Sequence, residues 1–143
     1  MRRSYETQID LDNEKSICEK IETACGMHLR KMSIKYSLDF IGFRNGKAVA
    51  VIEVKKRHNR YSKYPTVILS LAKWNRGVEF HRVNDFKFIF CVQFDDGYFF
   101  YEYQNDDKFN VEIGGRRDRN DDQDIEPVMH IPIVRMKKLC DVK

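Results

Sequence analysis

Apolar residues near the start of the chain recur at helical spacing. They form one stripe on a helical wheel, which consists of Ile17, Cys18, Ile21, Ala24 and Cys25. The stripe predicts an amphipathic helix over residues 13–25, with Asp12 or Asn13 as its N-cap and Gly26 as its stop. Residues 27–32, which follow directly, predict a first strand.

Two further strands are predicted over residues 36–43 and 47–56. The second is apolar on both faces over residues 48–52, which is typical of a strand in the middle of a covered sheet. Glu53 and Lys55 stand at the end of this strand. Because charged groups are costly next to a core, their presence there needs an explanation, which is either a functional site or a solvated strand end where the two form a surface ion pair.

The second half of the chain predicts one more helix and three strands. The helix is predicted to begin at about Pro65, since proline suits the first helical turn, and Gly77 is a candidate for its end. Its apolar stripe consists of Val67, Ile68, Leu71, Trp74 and Val78. A hairpin is predicted over residues 86–94 and 98–103, and a last strand over residues 128–136.

The predicted element order is α-β-β-β-α-β-β-β. This order indicates an α/β (α+β) fold in which helices flank a central mixed sheet. The length of 143 residues suits a single domain spanning residues 1–143. Within it we expect the core over about residues 12–104, a polar loop over about residues 105–126, and then the final strand.

The composition narrows the class of protein. Hydrophobic residues make up 42% of the chain and aromatic residues 13%, which argues against disorder, while a net charge of +4 excludes no partner. The four cysteines and four histidines are too scattered for a zinc pattern, so free thiols are expected. The chain shows no signal peptide and no apolar run of about 20 residues, which predicts a cytoplasmic protein without a membrane partner.

The side chains of Glu53 and Lys55 lie on the same face of their strand, because alternate residues of a strand share a face. Whether Asp39 joins them depends on the turn between the strands. A two-residue turn, Asn45–Gly46, would place Asp39 on the opposite face. A three-residue turn that begins at Arg44 would place it diagonal to Glu53, so the chemical interpretation requires the longer, bulged turn.

Two neighbouring carboxylates suit a hard cation such as Mg²⁺, which polarises phosphate oxygens and activates water. Lys55 beside them would orient the attacking water or neutralise developing charge. Glu14 is a possible further member, because it projects into the apolar stripe of the first helix. The alternative is that Glu14 emerges outside the core or pairs with a nearby lysine or arginine.

Asp39, thirteen intervening residues, and then Glu53-Val54-Lys55 resemble the PD-(D/E)XK nuclease superfamily, whose restriction-endonuclease-like core has the predicted element order. The small Holliday junction resolvases and phage-type nucleases, which act in DNA recombination, look most similar. The resemblance implies that Asp39, Glu53 and the Val54 carbonyl bind Mg²⁺, with Mn²⁺ as a substitute. It also implies that Lys55 is the catalytic lysine, that Glu14 is the first-helix acid and that the protein is a homodimer. The sequence departs from the pattern at Leu38, where the proline is absent.

A basic segment follows the motif, and its cations and tyrosines suit phosphate contacts and stacking on unpaired bases. The candidate nucleic-acid-binding residues are Lys56, Arg57, Arg60, Tyr61, Lys63 and, on the second helix, Lys73. Lys73 is expected to be exposed, opposite the apolar stripe. Residues 116–124 resemble a calcium loop but lack its glycine and its final glutamate, so they predict a mixed-charge loop whose arginines are further candidates for DNA contacts.

These observations predict a Mg²⁺-dependent DNA endonuclease, with cutting of branched DNA as a plausible specialisation. As the resemblance implies, the products would carry 5′-phosphate and 3′-hydroxyl ends, and the setting would be the cytoplasm, for a phage-type enzyme that of an infected host cell. One alternative is a catalytically inactive nuclease fold that serves as a binding, adaptor or inhibitor protein. Another is an RNA-directed nuclease or an exonuclease.

Overall fold

The computed structural model describes residues 8–104, 106–114 and 126–140, apart from the side chain of residue 34. Two helices and nine strands are present among these residues. In chain order they are α1 (Gln8–Cys25), β1 (His28–Lys31), β2 (Phe40–Arg44), β3 (Lys47–Lys56), β4 (Thr66–Ser70), α2 (Leu71–Asn84), β5 (Lys87–Phe94), β6 (Gly97–Glu102), β7 (Val111–Gly114), β8 (Glu126–Pro132) and β9 (Lys137–Cys140). No helix in the described part of the chain has the length and apolarity that crossing a membrane requires.

The strands form a large mixed sheet and a small antiparallel one. The large sheet has the order β1-β2-β3-β5-β6-β9, and the small sheet has the order β4-β8-β7. In the large sheet β3 and β5 are parallel, while the neighbouring pairs on both sides are antiparallel. Strands β1, β3 and β5 therefore end at the same edge of the sheet, which we call the carboxyl edge.

Both faces of the large sheet are covered. On one face α1 buries Ile17 and Ile21 against residues of β3 and β5 such as Ile52 and Cys91. On the other face α2 and the small sheet pack over β5 and β6 through a larger cluster that includes Trp74 and Phe88. Strand β3 is consequently buried between two cores, and this confirms the prediction made from its two apolar faces.

The predicted N-cap of α1 is wrong. The helix already includes Gln8, so Asp12 and Asn13 lie inside it, and Asp12 accepts a hydrogen bond from Gln8 Nε2 one turn earlier. The first turns are exposed, as shown by Ile9 at 72%, and therefore carry no apolar pattern that could mark them as helical. The predicted end is confirmed: Gly26 adopts a φ of 65°, and its N–H donates to the Glu22 carbonyl.

The predicted start of the second helix is also wrong. Residues 66–70 form β4, in which Val67 and Leu69 alternate with less buried neighbours, and α2 begins only at Leu71. The apolar spacing over this segment fits a strand as well as a helix, and pairing with β8, some sixty residues later in the chain, decides between them. Nor does Gly77 end the helix, which continues to Asn84.

The end of the chain also differs from the prediction. The strand predicted over residues 128–136 ends at Pro132 as part of β8, and a 3₁₀ turn at Ile133–Arg135 follows it. Strand β9 begins only at Lys137 and joins the other sheet. The predicted polar loop contains β7. The mixed-charge segment over residues 116–124 lies outside the described residues.

Gly77 allows α2 to approach the large sheet closely. A Cβ atom at this position would lie 2.4 Å from ring atoms of Phe88, whose side chain is fully buried. We expect Gly77→Ala to lower the free energy of unfolding by about 2 kcal/mol, because overpacking outweighs the better helix propensity of alanine. Urea unfolding measures this, with the exposed α2 position Asn75→Ala as the control. Equal or greater stability of Gly77→Ala would contradict the packing argument.

Candidate active site

The turn between β2 and β3 differs from the one that the chemical interpretation required. Arg44 pairs with Lys47, which leaves a two-residue turn in which Asn45 and Gly46 have φ values of 53° and 76°. This left-handed pair is the geometry that tight hairpins favour, and Asn-Gly is the preferred sequence for it. The predicted three-residue turn is therefore wrong.

A bulge within the hairpin shifts the pairing of the two strands by one further residue, so that Asp39 and Glu53 come to the same face. Phe43 pairs with Ala48 but Gly42 pairs with Ala50, so Val49 has no partner in β2. Beyond the bulge Phe40 faces Ile52, which brings the residue before Phe40 to the level of Glu53. The two carboxylates therefore reach the same end of β3 by a route that the turn sequence did not reveal.

Asp39 lies just before β2, not within it, because residues 34–36 form a 3₁₀ turn and Ser37 has a φ of 64°. Its Oδ2 accepts a hydrogen bond of 2.9 Å from the backbone N–H of Val54. Its backbone carbonyl accepts a second one, of 2.8 Å, from Met32. These bonds hold the Asp39 carboxylate against the Glu53-Val54-Lys55 segment.

Glu53 is only 2% exposed and is the buried charged residue among the described residues. Its Oε2 forms an ion pair with Lys73 Nζ. Its Oε1 is buried and has no hydrogen-bond partner among the described residues. The pKa of Glu53 is raised from 4.5 to about 8, chiefly by burial and also by the Asp39 charge, while the charge and hydrogen bond of Lys73 lower it.

Lys55 shares a face of β3 with Glu53 and stands at the exposed end of the strand. Its pKa is lowered, first by desolvation from the surrounding protein and then by the charges of Arg57 and Lys73. Its ammonium group is thus surrounded by two further cations and the two carboxylates. A lysine with a lowered pKa transfers a proton more readily near neutral pH.

Lys73 is the site residue that the sequence analysis misplaced. It was expected to be exposed, but its side chain is only 32% exposed and binds Glu53. Because Ser70 is the N-cap of α2 and its Oγ accepts from the Lys73 N–H, Lys73 lies in the first turn of the helix, above the end of β3. Recognising Ser70 as the cap would have placed it, but the helix was predicted to begin five residues earlier.

The Glu14 carboxylate does not form one cluster with those of Asp39 and Glu53. It forms an ion pair with Lys31, whose ammonium also lies 3.4 Å from Asp39 Oδ1. The structure thus agrees with the alternative in which Glu14 pairs with a nearby lysine. Its role as a further acid of the site stays a prediction, and Lys31 links it to Asp39.

The basic segment after β3 is partly built into the protein. The Tyr61 ring stacks on Phe99 at a centroid distance of 3.9 Å, and its hydroxyl donates to the Ile133 carbonyl, which leaves little of the ring for bases. Arg57 donates to the Ile68 carbonyl, and burial lowers its pKa. Tyr61 is therefore not placed to stack on unpaired bases, contrary to the prediction from the sequence. Among the other candidates, Arg60 and Lys63 are exposed, while Lys56 is the half-buried last residue of β3.

The donor atoms of the site fit a hard divalent cation. No three side chains of His, Cys, Asp or Glu converge in the described part of the chain. Mg²⁺ does not need such a cage, because it is commonly bound through one or two carboxylates and keeps several waters. Glu53 Oε1, which is buried and has no partner in the described part of the chain, is the kind of atom that such an ion would satisfy. Two carboxylates and two lysines at one strand end can bind a cation and a phosphate together.

Comparisons with known proteins bear on the fold and the family of this chain. Residues 1–139 match the sequence profile of a family described as "Phage putative PDDEXK endonuclease". No curated protein sequence matches the chain. Among solved structures, the chain is similar to Hjc of Archaeoglobus fulgidus, a Holliday junction resolvase from an archaeal hyperthermophile. The identity is 16% and the TM-score 0.51, over 64% of this chain and 70% of that chain.

At this identity the similarity to Hjc shows the fold, and it confirms the predicted restriction-endonuclease-like core. The family match confirms the resemblance that was based on Asp39, Glu53 and Lys55. Because that match covers nearly the whole chain, the protein belongs to the phage PDDEXK endonuclease family.

Proposed function

We propose that the protein is a Mg²⁺-dependent endonuclease that hydrolyses DNA and prefers branched DNA. One observation carries this proposal. Asp39 is bonded to the backbone of Val54 next to a buried Glu53 whose Oε1 has no partner among the described residues. A buried carboxylate oxygen without a partner destabilises the fold, and a bound cation would offset that destabilisation.

Asp39, Glu53 and the Val54 carbonyl would hold the Mg²⁺ ion, with Mn²⁺ as a substitute because both ions prefer oxygen ligands. When bound, the ion supplies charge stabilisation at the phosphate and lowers the pKa of water. Glu14 would contribute through Lys31, which contacts both Glu14 and Asp39.

Three lysines of the site have distinct tasks in this proposal. Lys55, at the exposed end of β3, orients the attacking water and takes up charge that develops on the phosphate. Lys73 pairs with Glu53 inside the protein and favours its ionised form, which makes it a positioning residue. Lys31 Nζ lies 3.4 Å from Asp39 Oδ1 and positions that carboxylate from the neighbouring strand end.

Two observations support DNA as the substrate. The segment over residues 57–65 carries basic side chains and no acid next to the site. Hjc, which has a similar fold, is a Holliday junction resolvase. A four-way DNA junction has two-fold symmetry, so a homodimer would place one site on each of two opposing strands.

Cleavage assays test the proposal directly. The protein is incubated with single-stranded DNA, linear duplex, RNA and a four-way DNA junction, each with Mg²⁺, Mn²⁺ or chelator. We expect cleavage of DNA with either ion, none with chelator, and the highest rate on the junction. Size-exclusion chromatography with light scattering measures the oligomeric state in the same buffer.

The matched variant is Lys55→Ala, with Lys47→Ala at the other end of the same strand as the control. We expect Lys55→Ala to lose at least about a hundredfold in rate and Lys47→Ala to cut like the unmodified protein. Absence of metal-dependent cleavage of every substrate would exclude the proposed reaction. Equal rates for the two variants would exclude the role of Lys55.

A further inference from the structure

Two tyrosines are unusually exposed for aromatic residues. Tyr36 is 41% exposed and Tyr64 is 54% exposed. Every other aromatic side chain in the described residues is buried or half-buried. Because few aromatic side chains of this chain are exposed, the positions of the two exposed rings are informative.

Each of these tyrosines is accompanied by the lysine that precedes it. Lys35 Nζ lies 5.2 Å from the centroid of the Tyr36 ring, and Lys63 Nζ lies 5.4 Å from that of Tyr64. Both distances are within the range of a cation–π contact. The chain thus presents the same unit twice, an exposed ring next to an ammonium group.

Both units lie on loops at the carboxyl edge of the large sheet. Tyr36 lies in the loop that leaves β1 and leads into Asp39, three residues later. Tyr64 lies in the loop that leaves β3 after Lys55. The second loop leans toward the tip of the β5–β6 hairpin, where Asn59 accepts a hydrogen bond from the Asp95 N–H.

The two loops therefore flank the carboxylates. In the sheet order, the first loop is next to β1 and β2 and the second is next to β5 and β6, while Glu53 stands on β3 between them. Neither loop, over residues 32–38 and 57–65, contains an acidic residue. A strand of nucleic acid that crosses the site from one loop to the other would meet positive charge and an aromatic ring on each side.

We infer that the two Lys–Tyr units, Lys35–Tyr36 and Lys63–Tyr64, bind unpaired nucleotides on either side of the phosphate that is cut. Each ring stacks on a base and each ammonium group contacts a neighbouring phosphate. Stacking on a ring face requires bases that are not enclosed in a duplex, so these units select DNA whose nucleotides are unpaired or open at a branch point next to the site. This inference rests on the proposed function and names its substrate class.

Binding in the absence of cleavage tests the inference. Fluorescence anisotropy in EDTA measures the Kd for a labelled single strand, a forked duplex with unpaired arms, and a flush duplex. We expect Tyr36→Ala and Tyr64→Ala each to weaken binding of the single strand and of the fork about tenfold. The Kd for the flush duplex changes less than about twofold, because no base is available for stacking. Tyr36→Phe and Tyr64→Phe retain the ring and bind like the unmodified protein.

The lysines have their own variants and controls. Lys35→Met and Lys63→Met weaken binding to all three DNAs and reduce its salt dependence, since each removes one phosphate contact. Lys87→Met and Val83→Ala, exposed positions toward the opposite edge of the sheet, leave binding unchanged. A loss by the alanine variants that is equal on fork and duplex, or no loss at all, would overturn the inference.

The results separate this inference from the proposed reaction. If the protein selects unpaired DNA through Tyr36 and Tyr64 but cuts nothing with Mg²⁺, the proposed reaction fails and the inference stands. If the protein cuts DNA and the alanine variants bind and cut like the unmodified protein, the inference fails alone.

Discussion

We expect replacement of Asp39 by asparagine to lower the rate of DNA cleavage about a thousandfold and to leave the fold unchanged. The amide has the same size as the carboxylate, and its oxygen still accepts the hydrogen bond from the Val54 N–H. What the variant loses is the negative charge that would hold the cation. A cation at the phosphate contributes several kcal/mol to the transition state, which corresponds to this loss of rate.

Single-turnover cleavage of a labelled four-way junction at saturating protein measures the effect, and thermal unfolding checks the fold. The control is Asp12→Asn, which changes an exposed carboxylate of α1 that accepts a hydrogen bond from Gln8. It is expected to cut at the original rate. Full Mg²⁺-dependent activity of Asp39→Asn would contradict the proposed role of this carboxylate.

We expect replacement of Glu53 by glutamine to abolish cleavage and at the same time to stabilise the protein without metal. Burial raises the pKa of Glu53 from 4.5 to about 8 in the folded state. The unfolded chain therefore releases this proton first as the pH rises, and unfolding becomes easier between about pH 5 and pH 8. Glutamine cannot ionise, so the variant avoids this loss, which we expect to amount to about 2 kcal/mol at pH 8.

Urea unfolding in chelator at pH 5 and pH 8 measures the difference, which should be small at pH 5 and largest at pH 8. Added Mg²⁺ should stabilise the unmodified protein and not Glu53→Gln, because a ligand stabilises only the fold that binds it. Lower stability of Glu53→Gln at pH 8 would show that the buried carboxylate does not cost the fold stability.

Lys73 provides the matched variant, because it holds the other end of the ion pair. Lys73→Met leaves the buried carboxylate of Glu53 without its cation. Because Glu53 ionises in the folded unmodified protein only near and above pH 8, we expect Lys73→Met to lose stability as the pH rises past 8, by about 1 kcal/mol at pH 9. The loss should be small at pH 5, where Glu53 is protonated in both proteins. Opposite signs for Glu53→Gln and Lys73→Met would establish that the carboxylate is the costly member of the pair.

Local patterns accounted for the parts of the fold that depend on neighbouring residues. The two apolar faces over residues 48–52 identified β3 as a central strand, and Gly26 marked the end of α1. The two-residue turn at residues 95–96 identified the β5–β6 hairpin. In each case, the residues that determine the structure lie within one turn or one strand of each other, so the sequence displays them together.

The parts of the fold that were predicted wrongly depend on contacts between segments that lie far apart in the sequence. Residues 66–70 became a strand because β8 pairs with them, and this moved the start of α2 and with it Lys73. Tyr61 and Tyr64 look equivalent in the basic segment, yet one is stacked on Phe99 and the other is exposed. Spacing along the chain cannot distinguish such alternatives, because the partner that decides lies far away in sequence.

The candidate site shows the same division. The sequence by itself determined that Glu53 and Lys55 share a face, since strand alternation is a local property. The approach of Asp39 was decided only in the tertiary structure, where the bulge at Val49 and the hydrogen bond to Val54 set the register. The burial that raises the pKa of Glu53, and the Lys73 ion pair that opposes it, arise because α2 packs over the end of β3.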